Sequence, residues 1–176
     1  MKEQLQKDFD NTIKNLNLSQ KDIEIKKFYL DNFINKGFPN RKEEDWKFSD
    51  LNQIINKNIG ELSFYNDYTS TNKVDTSVFV DGLEHNKIVF INGRIEKIDF
   101  DYEKKDQIEI IDQSEIINKF ENNNSLSDLN SAFTNKSFKI VVKKGYQLSK
   151  PLIIYHTTNS KIWSKNINLR LDFELQ

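Results

Sequence analysis

The sequence predicts an α+β fold, helical in its first third and strand-rich in its last, with a β-hairpin between. Three patterns carry this expectation. Leu5, Phe9, Ile13 and Leu16 recur at helical spacing, which gathers them on one helix face. In Ile88-Val89-Phe90-Ile91-Asn92-Gly93-Arg94-Ile95, Asn-Gly lies between apolar runs. That is the composition of a type I′ turn, whose two central residues need positive φ. Finally, Ile167, Leu169, Leu171, Phe173 and Leu175 alternate strictly with Asn168, Arg170, Asp172, Glu174 and Gln176, a period-two strand with one face to bury.

Residues 1–58 read as a helical region. After the first helix, Ser19 with Asp22 three residues on resembles a capping box. The second helix carries a stripe of Ile23, Lys27, Leu30 and Ile34, with Phe33 beside it. Gly37 suits the residue after its end, and Pro39 prevents continuation. Ser49 is placed to cap a short third helix bearing Leu51, Ile54 and Ile55. These stripes are expected to pack against one another.

Residues 59–136 read as a mixed segment. The polar stretch 60–76 carries no periodicity. Asp81-Gly82 is a second turn signal ahead of the hairpin. A short strand is expected at 108–111, a helix from Ser114 to Phe120, and another through Leu126, Leu129 and Phe133. Residues 137–176 read as strands. Phe138, Ile140 and Val142 alternate with their neighbours, Gly145 marks a turn, and Pro151 precedes Leu152-Ile153-Ile154-Tyr155. No helical pattern separates these strands, so they belong to an all-β layer, a sandwich or the rungs of a solenoid. The last strand still alternates at Gln176. A half-buried strand needs a neighbour and a cover, so the chain reads as an incomplete copy of a longer protein, or as one that needs a partner at this end.

Composition excludes several function classes. With 26 basic and 27 acidic residues in 176, no global field draws the chain to nucleic acid or an anionic membrane. The N-terminal residues carry acids and lack the apolar core of a secretory signal, and no stretch approaches the length of a membrane span, so a cytoplasmic location is expected. There is no cysteine, hence no disulfide and no thiolate nucleophile or ligand. Iron–sulfur clusters are held mainly by thiolates, so this chain is not expected to ligate one directly.

Few residues invite a catalytic role. Glu43, Glu44 and Asp45 form an acidic run beside Trp46. Paired carboxylates serve as acid and base when their environments separate them, but adjacent helical positions point to different faces, and such a run fits a helix start. A hydrolase using Glu44 or Asp45 with His156 is the resulting enzyme reading, and it is the remote one. His156 shares a strand face with Leu152 and Ile154 and reads as a core or rim residue. His85 lies in a polar turn and reads as solvated. The region of Tyr155 and Trp163 could supply aromatic contacts, but these residues read first as core. No phosphate-binding glycine loop, dinucleotide fingerprint or nucleophile elbow is present. No catalytic, cofactor-binding or metal-ligating residue is assigned, and the chain is not expected to be an enzyme.

One segment is more specific. Gly37-Phe38-Pro39-Asn40-Arg41-Lys42-Glu43-Glu44-Asp45-Trp46-Lys47-Phe48-Ser49-Asp50-Leu51 resembles the N-terminal signature of the SufD family: glycine, an apolar residue and proline, then a base, acids, Trp-Lys-aromatic and leucine. The hairpin at 88–94, the stretch Leu126 to Phe133, and the strands at 138–145 and 150–154 resemble later parts of that family in order. The resemblance covers roughly residues 28–175. It implies an N-terminal helical region, a mixed segment, and the first strands of a right-handed parallel β-helix. It further implies a scaffold subunit of the SufB–SufC–SufD complex that builds iron–sulfur clusters. A SufB-like partner would pair through the β-helix, and a SufC-like ATPase would bind a C-terminal region that lies beyond this sequence. A nascent cluster enters only at the level of the complex. The family's proposed cluster-building positions have no counterpart here. The alternative reading is a non-catalytic β-solenoid module that binds protein or carbohydrate. An uncapped terminal rung favours self-association, so the isolated chain is expected to be poorly soluble or oligomeric.

Overall fold

A computed structural model describes residues 2–16, 18–59, 62–65, 72–113, 124–159, 162 and 165–176. The described residues form an α+β fold, with four α-helices and two small three-stranded sheets among them. It divides into two compact units, each discontinuous in sequence: residues 1–66, 115–135 and 164–170 form the first, and residues 67–114, 136–163 and 171–176 the second. The helix expected at Ser114–Phe120 and the side chain of Trp163 lie outside the described residues.

The first unit is built on helices. Helix α1 spans Lys2–Asn15 and buries Leu5 and Phe9. Helix α2, Gln20–Lys36, begins as its sequence dictates. The Ser19 hydroxyl oxygen accepts from the Asp22 N–H, and its own proton goes to the Asp22 carboxylate at 2.5 Å. Gly37 ends the helix with φ of 74°, and its N–H closes on the Phe33 carbonyl at 2.7 Å. The buried face of α2 is Asp22, Ile25, Lys26, Tyr29, Leu30 and Phe33, not the stripe through Ile23 and Lys27. Ile25-Tyr29-Phe33 and Lys26-Leu30 both step by four, so the seam follows the aromatic residues and takes a lysine with it. Helix α3, Leu51–Ile54, is capped by the Asp50 side chain rather than by Ser49 and runs into a π-turn, Ile55–Ile59. Helix α4, Ser125–Phe133, starts from an Asn124 cap.

One core joins these helices. Phe133 meets Phe9 edge-on at 6.0 Å and stacks on Phe64 at 3.6 Å. Phe33 and Phe38 pack edge-on at 4.9 Å. Much of this core is therefore aromatic, which suits a chain with 13 phenylalanines. Segments distant in sequence are tied here by a parallel bridge, with Tyr65 N–H on the Asn166 carbonyl and Asn166 N–H on the Ser63 carbonyl.

The second unit holds the sheets. Strands β1 (Asn86–Ile91) and β2 (Arg94–Asp99) form the expected hairpin, with φ of 53° at Asn92 and 79° at Gly93. Strand β3 is Ile108–Gln113, β4 Lys136–Val142, β5 Leu152–Thr157 and β6 Leu169–Leu175, the last belonging to this unit from Leu171 on. The sheets run β2-β1-β5 and β3-β4-β6. β1 is antiparallel to β2 and parallel to β5, in the register Ile88 to Ile154 and Phe90 to His156. β3 and β4 are antiparallel.

β1 is buried on both faces. Val89 and Ile91 pack with Tyr155, and Val74 and Phe79 cover them. On the other face Phe90 lies 5.6 Å from the Phe138 ring of β4. β6 departs from the expected half-buried strand, because Phe173 is 52% exposed and Leu175 80%. β6 is the outermost strand of its sheet, where alternation alone supplies no covering layer.

Candidate functional site

Two features gather the residues that sequence patterns single out. The first is the turn after α2. Glu44–Trp46 form one turn of 3-10 helix. Glu43 accepts from the Asn40 N–H at 3.1 Å, and Glu44 pairs with Lys47 at 2.6 Å. Glu43 thus ties the turn back to Asn40 and Glu44 ties it forward to Lys47, while the Glu43 side chain makes no capping bond to the helical turn. Trp46 is only partly buried, and Phe48 is 88% exposed with the Lys47 ammonium over its ring. The segment thus displays Phe48 and covers Trp46 only in part. Trp46→Ala is expected to cost about 1–2 kcal/mol in urea unfolding, against about 3–5 kcal/mol for a fully buried tryptophan. A loss above 3 kcal/mol would place the ring in the core and contradict this placement.

The second feature is the outer side of the two sheets. β5 and β6 are the last strands of their sheets. His156 on β5 is exposed on one side and lies edge-on to Phe90 at 6.3 Å on the other. Burial against that ring lowers its pKa below the ordinary histidine value. On β6, Phe173 and Leu175 are exposed, while Glu174 is held by Lys139. Glu44 and Asp45 belong to the first unit and His156 to the second. Among the described residues, no three or more His, Cys, Asp or Glu side chains are gathered so as to hold a metal ion.

His85 is not solvated as its polar neighbours suggest; it is 2% exposed. Its Nδ1 lies 2.6 Å from the Leu83 carbonyl oxygen, which can only accept, so Nδ1 carries the proton in the neutral ring. Nε2 then accepts from the Tyr155 hydroxyl at 2.7 Å, whose oxygen accepts from the Val80 N–H at 3.0 Å. This chain of bonds pins the segment before β1 onto β5. It is a structural lock, and Tyr155 is accordingly a core residue rather than a displayed one.

Two further polar groups carry no sequence motif. Lys26 is buried and donates to the Thr134 carbonyl. Glu103 accepts from Asn86 Nδ2 at 2.7 Å, the Tyr146 hydroxyl at 2.7 Å, the Ser149 N–H at 2.9 Å and the Lys150 N–H at 3.1 Å. It fastens the 143–150 turn to the start of β1. The helical phase of Ile25, Tyr29 and Phe33 points to Lys26. Nothing local in sequence points to Glu103, because its partners lie 17 to 47 residues away.

Among the described residues no helix is long and apolar enough to cross a membrane. No protein-family model matches the chain, and no curated protein matches it.

Proposed function

We propose that this chain is a SufD-type scaffold subunit of a cytoplasmic iron–sulfur cluster assembly complex, working through strand surfaces it offers to a SufB-like partner and not through catalysis. One observation supports this reading above the others. β4, β5 and β6 follow one another in sequence yet alternate between the two sheets, and β5 lies parallel on β1. A solenoid stacks its rungs in this way, each strand returning beside an earlier one. On this reading β4 to β6 are the first strands of a parallel β-helix, and its right hand comes from the family resemblance. The run from Gly37 to Leu51 carries the rest of the argument. The nascent cluster is cargo of the complex. No cysteine lies within this sequence, so the cluster's thiolate ligands lie outside it, and His156 is given no ligand role.

The test is co-expression with SufB-like and SufC-like proteins from the same source, followed by affinity capture and mass spectrometry. Recovery of the SufB-like protein is expected. If a full-length SufD control captures both partners while this chain captures neither, the proposal fails.

A further inference from the structure

Strand β2 is the outermost strand of its sheet, and among the described residues β1 is the only strand beside it. One row of its backbone N–H and C=O groups is therefore open to a further strand. The pairing with β1 slips between Val89 and Phe90. Beyond that point β2 runs regularly, with Lys97 opposite Val89, Ile98 opposite Ile88 and Asp99 opposite Lys87. Side chains alternate along this stretch. Lys97 and Asp99 share one face, where the Lys97 ammonium approaches its own Asp99 at 3.4 Å. Ile98 is on the other face and is 49% exposed. With Phe100, and with Ile108 and Ile110 of β3, it lines a cleft of about 310 Å³ in the second unit.

A strand added to this edge meets a lysine, an isoleucine and an aspartate in turn. A second copy of β2, antiparallel about a twofold axis, presents the same residues in reverse. Directly opposite residues share a sheet face, so the axis passes through one residue. Centred on Lys97, it sets two lysines against each other, and centred on Asp99, two aspartates. Centred on Ile98, it sets Lys97 of each copy opposite Asp99 of the other. The two Ile98 side chains then meet on the cleft face. Opposite charges and apolar pairs directly across a ladder are favourable, and like charges are not. The edge is thus self-complementary in one register. We infer that it is an isologous contact between two copies of this chain, β2 pairing with β2 about Ile98. The two three-stranded sheets join into one of six strands, and the open edge is closed. None of β4, β5 and β6 takes part, so the contact is independent of the strand surfaces invoked for scaffolding.

The chain has no cysteine, so a single introduced thiol reports on one position. Directly opposite residues of an antiparallel pair have Cα atoms about 4.5–5.5 Å apart, within the range a disulfide bridges. Under mild oxidation Ile98→Cys is expected to form a disulfide-linked dimer. It should do so about tenfold faster than Phe173→Cys, an exposed position on β6, because pairing holds the Ile98→Cys thiols together. Lys97→Cys, whose two thiols stand two residues out of step, should be as slow as Phe173→Cys. Sedimentation of the wild-type chain should show a concentration-dependent monomer–dimer equilibrium, and Ile98→Lys should shift it to monomer. A wild-type chain that stays monomeric up to its solubility limit, or that associates without closing at two copies, would overturn the inference. Linkage at Phe173→Cys in preference to Ile98→Cys would place the contact on β6 and overturn it as well. Linkage at Lys97→Cys as fast as at Ile98→Cys would overturn the register. The wild-type and cysteine results decide the matter even if Ile98→Lys fails to fold.

Discussion

The chain is expected to gain roughly 3 kcal/mol of stability between pH 8 and pH 10.5 from one residue, and Lys26→Met to remove that gain. Burial of the Lys26 ammonium lowers its pKa from 10.5 to about 8, against the attraction of the Asp22 carboxylate. In the unfolded chain the amine keeps its ordinary value. Between the two values the unfolded chain holds a proton that the folded chain has released. Raising the pH through that window therefore favours folding, and below pH 8 the folded state bears the whole cost of a buried charge. At pH 7 the Met variant escapes that cost but leaves the Thr134 carbonyl without its donor, so the two effects offset to within about 1 kcal/mol. Urea unfolding at pH 7, 8, 9 and 10 on both proteins checks this, because the tyrosines and other lysines cancel in the difference. Parallel profiles for the two proteins would show that Lys26 is solvated in the folded state.

Glu103→Gln is expected to destabilise the chain by about 2–3 kcal/mol at neutral pH, the cost of weakening several charge-assisted bonds at once. Burial alone would raise the pKa of this carboxyl. Hydrogen bonds from Asn86, Tyr146, Ser149 and Lys150 outweigh that effect and bring it down to about 2. A depressed folded-state value means stability that is fully present above pH 4.5 and is lost as the pH falls toward 2. The carboxylate lies near the surface, so solvent screening discounts the contribution to about 1–2 kcal/mol. The difference in unfolding free energy between wild type and variant should shrink by that amount from pH 6 to pH 2.5. The variant's one amide oxygen can still accept from Asn86, 0% exposed at the start of β1, but holds it less strongly than a carboxylate, and the Tyr146 hydroxyl loses its acceptor, so the 143–150 turn and the first residues of β1 should loosen together in hydrogen exchange. A variant whose exchange rates match wild type at both places would show that the clasp contributes nothing.

Local order that neighbouring residues decide was legible in most places, the cap of α3, which is Asp50 and not Ser49, being the exception. The Ser19 cap, the Gly37 stop and the Asn92-Gly93 turn follow from side chains that bond to, or free, their own backbone. The period-two runs mark the strands β4 and β6 for a similar reason, since alternation is a property of the chain itself. The family resemblance likewise rests on a contiguous run, Gly37 to Leu51.

What needed the tertiary structure were matters of which face wins and what covers it. Lys26 instead of Lys27 faces the core, because the aromatic seam of α2 sets the helix rotation. Phe48 and Phe173 are exposed although their residue types favour burial, since exposure depends on whether another element lies above them. His85 is locked and not solvated because Tyr155, 70 residues on, meets it. The same holds for a cleft in the first unit lined by Phe38 and Ile167, whose walls come from segments more than 100 residues apart. The sequence by itself determined the kinds of element, their order and their turns, which are short-range consequences of backbone conformation and side-chain period. Only the tertiary structure decided which polar groups are buried, which aromatics are displayed and where a cavity opens, because those depend on contacts between parts of the chain that local pattern does not relate.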